Sequence, residues 1–267
     1  MLDHNASHAL NERMIDPASF ISCVDALPRP VDLPRSRDRS TRNMLLNHLS
    51  DDDYDLLRPH IERVSLSVGT VLARAGEPIE TICFLDGGLA GFLDVLGDGQ
   101  RLVIGVIGRE GVVGWPALMG NDRWPYDVEV RATCDAQRVP IAALLAATAV
   151  SPRLNTLLLR FAGIFAAQMG RTIVSNLIHS VERRTARWIL LYHDRVERDE
   201  ITMTHEELGN MLGVRRASIT SALHVLEGEN AIRGYRGRII VRDRAALEAF
   251  AGDTYGFAEA EYRRLIG

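Results

Sequence analysis

Lysine is absent from this chain of 267 residues, and all 31 of its basic side chains are arginine. A phosphate loop of the Walker A kind needs a lysine ammonium, and Schiff-base chemistry needs a lysine amine, so both are excluded. Cysteine is scarce as well. Cys23, Cys83 and Cys134 are odd in number and far apart, which gives neither a disulfide framework nor a paired zinc site. No uninterrupted apolar run approaches the ~18 residues that span a bilayer, and the best, residues 141–150, is short and Ala-rich. The N-terminus lacks the apolar core of a secretory signal, so a cytoplasmic setting is expected. His205-Glu206-Glu207 has no second histidine at metalloprotease spacing, and no G-x-S-x-G elbow occurs. The expectation is a non-enzyme without metal or cofactor.

What is present is most informative between residues 202 and 227. Thr204 is a good helix N-cap, with Glu207 at capping-box spacing. Leu208, Met211 and Leu212 form an apolar stripe, Gly213 supplies a turn, and Ile219, Leu223 and Leu226 repeat at helical spacing on a second helix. Between those apolar positions lie Arg215, Arg216, Ala217, Ser218, Thr220, Ser221 and His224. One face thus packs into its own domain while the other carries small or cationic groups, as a groove-reading helix requires; an ordinary αα-hairpin is the plainer alternative. Next, Gly234, Arg236, Gly237 and Arg238 lead into Ile239-Ile240-Val241, which reads as a two-stranded wing with arginines suited to phosphate.

Charge is distributed to match. Residues 1–150 carry 14 arginines against 21 acids, a net of −7, whereas residues 151–267 carry 17 against 14, a net of +3. The basic excess therefore coincides with the proposed reading elements, which matters more than the overall net charge of −4.

Residues 1–43 read as a polar, Pro- and Arg-bearing extension, with a short helix expected near residues 15–26. Short helices are expected at residues 44–49 and 53–59. Strands punctuated by glycine fill residues 64–139 and suggest a sandwich or roll. Gly105, Gly108, Gly111 and Gly114 recur every third residue; they read as turns and bulges rather than as a nucleotide loop, since no G-x-G-x-x-G opens a helix. Pro152 begins a long helix whose Leu154, Leu157, Leu158, Phe161, Ile164, Phe165 and Met169 make an apolar face wider than one core contact needs, so part of it is expected to pack on a second copy. His179-Ser180 is the expected hinge into the reader.

A roll, a long helix and a winged helix-turn-helix in this order resemble the Crp/Fnr family of bacterial transcription regulators. The resemblance rests on residues 108–114 (GREGVVG), residues 181–191 and residues 204–226, and it covers nearly everything from residue 44 to about residue 247. It implies an α+β fold: an N-terminal cyclic-nucleotide-binding-like β-roll at 44–148, a dimerisation helix at 149–179, a winged helix-turn-helix at 180–250, and a C-terminal tail at 251–267. It also implies a homodimer acting on double-stranded DNA and RNA polymerase, with no membrane partner. Two departures matter. Where cyclic-nucleotide binders of the family carry Gly-Glu for ribose and Arg-Ser for phosphate, this chain has Gly114-Trp115 and Tyr126-Asp127, with Arg123 and Arg131 as possible substitutes. A degenerate effector pocket without tight cyclic-AMP binding is expected. Familiar members read bases with Glu and Arg, for which Ala217 and Ser221 stand here; Arg216 is left to bridge a guanine, and Thr204 and Ser218 to touch phosphate. Clustered cysteines for an iron–sulfur centre are missing, and His48, His60 and His179 are only weak haem candidates. A small-molecule or redox sensor that signals through protein contacts is the alternative.

Overall fold

The computed structural model describes residues 39–267. The short helix expected at residues 15–26, and Cys23, lie outside the described residues. Two short helices open the fold, α1 (Met44–His48) and α2 (Asp51–Leu57). Asn43 and Ser50 cap them with side-chain oxygens, and Asp51, Asp52 and Asp53 fill the first turn of α2, where the helix dipole favours anions.

Eight strands follow: β1 (Glu62–Leu66), β2 (Val71–Ala73), β3 (Thr81–Leu85), β4 (Leu89–Val95), β5 (Arg101–Ile107), β6 (Val112–Val113), β7 (Asp127–Ala132) and β8 (Cys134–Pro140). They form two antiparallel sheets, ordered β1-β8-β3-β6 and β2-β7-β4-β5. The inner faces bury Ile82, Phe84, Phe92, Val128 and Val130.

Two helices come next, α3 (Ile141–Val150) and the 27-residue α4 (Pro152–Ile178). Ser151 separates them in extended geometry; its hydroxyl accepts from Leu154 N and donates to buried Asp53 at 2.5 Å. Pro152 occupies the first turn, where its missing N–H costs nothing. By length and composition α4 could cross a membrane, but its most apolar face is sunk in the core of the roll.

The expected glycine spacing has a packing cause. A Cβ at Gly105 would stand 2.8 Å from the Phe165 ring, at Gly108 2.6 Å from Arg195, at Gly111 2.1 Å from the Phe161 ring, and at Gly114 2.3 Å from Ile82. These four positions are bare so that the long helix, its successor and a neighbouring strand can close on this strip.

The assignment of α4's dimer face needs correction. Leu154, Leu158, Phe161, Ile164 and Phe165 are buried inside their own protomer, and Leu157 and Met169 pack against the same core. The five buried residues hold the helix to the roll, and Leu157 and Met169 are half-buried beside them. The face left open is Leu159, Gly163, Ala166, Gly170, Ile173 and Leu177, in steps of four and three residues; Leu177 is 78% exposed.

The remaining elements are α5 (Val181–His193), β9 (Glu200–Thr202), α6 (His205–Leu212), α7 (Arg216–Gly228), β10 (Ile232–Tyr235), β11 (Arg238–Val241), α8 (Arg244–Ala251) and α9 (Phe257–Leu265). Residues 251–267 are therefore no loose tail. Glu259 accepts from Gly256 N at 3.1 Å at the start of α9, and Ala258, Tyr262 and Ile266, four residues apart, insert into the core shared by the roll and α4. A second core joins Trp188, Ile189, Met211 and Leu223 to Leu89, Leu93, Val103 and Val106 on β4 and β5. The reader domain is thus seated on one sheet of the roll.

Candidate nucleic-acid interface

Helix α6 starts at Thr204, whose hydroxyl accepts from Glu207 N at 3.1 Å while Glu207 Oε2 accepts from Thr204 N at 2.7 Å. The same hydroxyl donates to Glu207 at 2.8 Å, so the group expected to touch phosphate is already engaged in the cap. Gly213 ends α6 with φ +65, the left-handed turn that glycine adopts without strain. Gly209, not singled out from the sequence, lets the following turn close in: a Cβ there would sit 3.0 Å from Val214 O.

Helix α7 buries Ile219, Ala222, Leu223 and Leu226, as its apolar spacing predicts. Arg215, Arg216, Ala217, Ser221 and His224 are exposed, and Ser218 is half-buried. Arg215 and Arg216 have no ion pair among the described residues, so two guanidinium groups stand unpartnered at the start of the helix. His224 pairs with Glu227 at 3.3 Å. Thr220 differs from the expectation of a groove-facing donor. Its hydroxyl donates to Arg216 O at 3.2 Å and lies 3.0 Å from His205 Nδ1, which fastens α7 to α6. Burial, then the nearby Arg216 charge, holds His205 below the usual imidazole value, which suits a neutral ring donating to Thr220.

The wing forms as expected. Strands β10 and β11 pair antiparallel with β9 on the far edge, and Gly237 turns at φ +75. Gly234 N donates to Glu227 at 2.7 Å, tying the wing to α7. Arg236 is exposed and has no ion pair among the described residues. Arg238 is already engaged, 3.4 Å from Glu200 and with its guanidinium 4.9 Å from the centre of the Tyr235 ring.

In the roll, the position expected to face a phosphate holds a cluster of paired charges. Asp127 is 7% exposed. It accepts from Ala75 N at 2.9 Å and Arg74 at 3.2 Å, and stands 3.5 Å from Arg101. Arg101 also meets Glu129 at 3.0 Å, and Glu129 meets Arg131 at 3.3 Å. Arg74 and Arg101 escaped sequence reading because they lie far from Asp127 along the chain. Arg123 does not substitute: exposed, it donates to Gly76 O at 2.7 Å. Tyr126 is half-buried. Gly114 keeps φ +123 over Ile82, and the Trp115 ring packs 5.6 Å from that of Phe165. Trp115 and Trp124 are both buried.

Comparison with known proteins agrees with these parts. The sequence model of the Crp-like helix-turn-helix domain matches residues 183–250, and that of the cyclic nucleotide-binding domain matches residues 63–149. No curated protein matches the chain. Among solved structures, a CRP-family transcriptional regulator from Thermus thermophilus is 22% identical, with TM-score 0.60 over 71% of this chain and 96% of its own. FixK2 from Bradyrhizobium japonicum is 16% identical, with TM-score 0.63 over 72% and 98%. The c-di-GMP-responsive regulator CLP of Xanthomonas campestris is 17% identical, with TM-score 0.59 over 71% and 98%. With a cyclic nucleotide-binding roll, a long helix and a Crp-like reader in one chain, this protein belongs to the Crp/Fnr family of transcription regulators.

Proposed function

We propose that the protein acts as a homodimer that reads double-stranded DNA through Arg215, Arg216 and the wing, with RNA polymerase as its downstream partner, and that its roll does not bind cyclic AMP. The observation that carries this reading is the pair of unpartnered guanidinium groups at the start of α7. A guanidinium free of internal carboxylates keeps its donors for guanine O6 and N7 or for phosphate. The open heptad-like face of α4, from Leu159 to Leu177, supports a two-helix seam; Gly163, Ala166 and Gly170 permit close approach of the two backbones. Such a dimer presents two reading helices to half-sites about one duplex turn apart.

The cyclic-AMP part rests on charge. A ligand phosphate entering beside Asp127 would displace a carboxylate already bonded to Arg74 and to Ala75 N, exchanging one anion for another without new donors.

Gel shift and footprinting on DNA upstream of its own gene test the first part. Affinity is expected to fall steeply between low and physiological salt; binding insensitive to salt would indicate a protein-contact role instead. Calorimetry with cyclic AMP tests the second, and micromolar affinity would overturn it.

A further inference from the structure

A cavity of about 170 Å³ opens where five parts of the chain meet. They are Met44 of α1, the Arg109-Glu110 turn after β5, helix α4, the Asp194-Arg195 turn that follows α5, and α9. Phe161, Ile164 and Phe165 supply an apolar wall.

The polar groups around this cavity divide sharply. Two of the three acids are held by arginines. Glu110 accepts from Arg195 at 2.9 Å and from Gly108 N at 3.1 Å. Asp194 takes Arg244 at 2.7 Å and Tyr255 at 2.8 Å, and Glu259 takes Gly256 N. Arg195 is used up by Glu110 and by Leu191 O. Two donors remain. The Tyr262 hydroxyl is buried without a partner among the described residues, although its residue lines the cavity. Arg109 also lines the cavity, is exposed, and has no ion pair among the described residues. Burial, with Glu110 adding, pushes the Tyr262 phenol above its ordinary value, so it stays a donor at any working pH. An orphaned buried donor is costly unless an acceptor arrives.

We propose that this cavity is an effector site for a small aromatic monocarboxylate. The ring lies against Phe161, Ile164 and Phe165, and the carboxylate accepts from Tyr262 and Arg109. Because its walls come from the roll, the long helix, the entry to the reader and the last helix, an occupant holds these segments in one arrangement. The site is separate from Asp127 and from the DNA-facing helix, so it stands or falls independently of the reading above.

Calorimetry and thermal melts of the full chain test it with three probes of one size: phenylacetate, toluene and phenethylamine. Phenylacetate is expected to bind at roughly millimolar concentration or below, more tightly than toluene and far more tightly than the amine. Tyr262→Phe should weaken phenylacetate about tenfold without lowering the melting temperature, since the hydroxyl bonds to nothing in the free protein. Ala258→Leu should fill the space and abolish binding while the chain still melts cooperatively. No binding of phenylacetate, equal binding of the amine, a Tyr262→Phe variant that melts earlier, or unaltered affinity in Ala258→Leu would each overturn the proposal.

Discussion

Gly114 is a candidate for ligand contact on its sequence position, but its geometry makes it a packing residue, and one substitution separates the roles. Gly114 sits at φ +123, and a Cβ there would lie 2.3 Å from Ile82 Cγ2, 2.9 Å from Ile82 Cβ and 3.3 Å from its Cα. Ordinary carbon contacts are about 3.5–4.0 Å, and Ile82 is wholly buried, so the strand itself must give. Gly114→Ala therefore combines two costs: backbone strain of about 1–2 kcal/mol for a side chain at positive φ, and overpacking of about 1–3 kcal/mol. Gly120→Ala is the internal control. That residue has φ +82 but nothing within 4 Å of its Cβ position, so it bears the strain alone. The entropy gained from a less flexible unfolded chain is common to both variants and cancels. Urea unfolding at unchanged slope is expected to give a loss of about 2–5 kcal/mol for Gly114→Ala and about 1–2 kcal/mol for Gly120→Ala. Equal losses would refute the claim that Gly114 is bare to admit Ile82.

Three further outcomes are expected. Arg216→Ala should lose about 1–3 kcal/mol of operator binding and relax preference at one base, whereas Arg236→Ala should weaken all sequences alike and lower the salt slope by about 1; unaltered footprints from Arg216→Ala would count against it as the base reader. Ile173→Glu combined with Leu177→Glu should convert dimer to monomer in sedimentation without changing the melt of the roll, because both side chains are exposed in the protomer; a persistent dimer would place the seam elsewhere. Asp127→Ala should cost about 1–3 kcal/mol in thermal melts, mostly from the unpaired Ala75 N–H. Arg74 is 53% exposed and adds no more than about 1 kcal/mol, and a neutral substitution would mean that water replaces the carboxylate.

Much of the reader domain could be read directly. Its signals are local: a capping box at Thr204 and Glu207, a left-handed glycine at position 213, and apolar residues three and four apart on α7. Such features act within one or two turns of helix, so spacing along the chain carries them. Pro152 announced the long helix for the same reason. Thr220 shows the limit of this approach. A hydroxyl one turn after Arg216 looks available for DNA, and only the packing of α6 against α7 brings His205 to it.

Composition alone excluded lysine-dependent chemistry, and patterning alone set the order of roll, helix and winged reader. Tertiary structure decided which side of α4 faces inward. Phe161 and Phe165 are large apolar residues, but the bare glycines on the roll claim them, leaving the stripe of Leu159, Ile173 and Leu177 exposed. It also decided what answers Asp127, since Arg74 and Arg101 approach it only when β2, β5 and β7 stand in one sheet. The same folding brought α9 back to enclose a cavity that no stretch of sequence foretells. Periodicity records which residues share a face of their own element; which face is buried depends on shape and charge arriving from elsewhere in the chain.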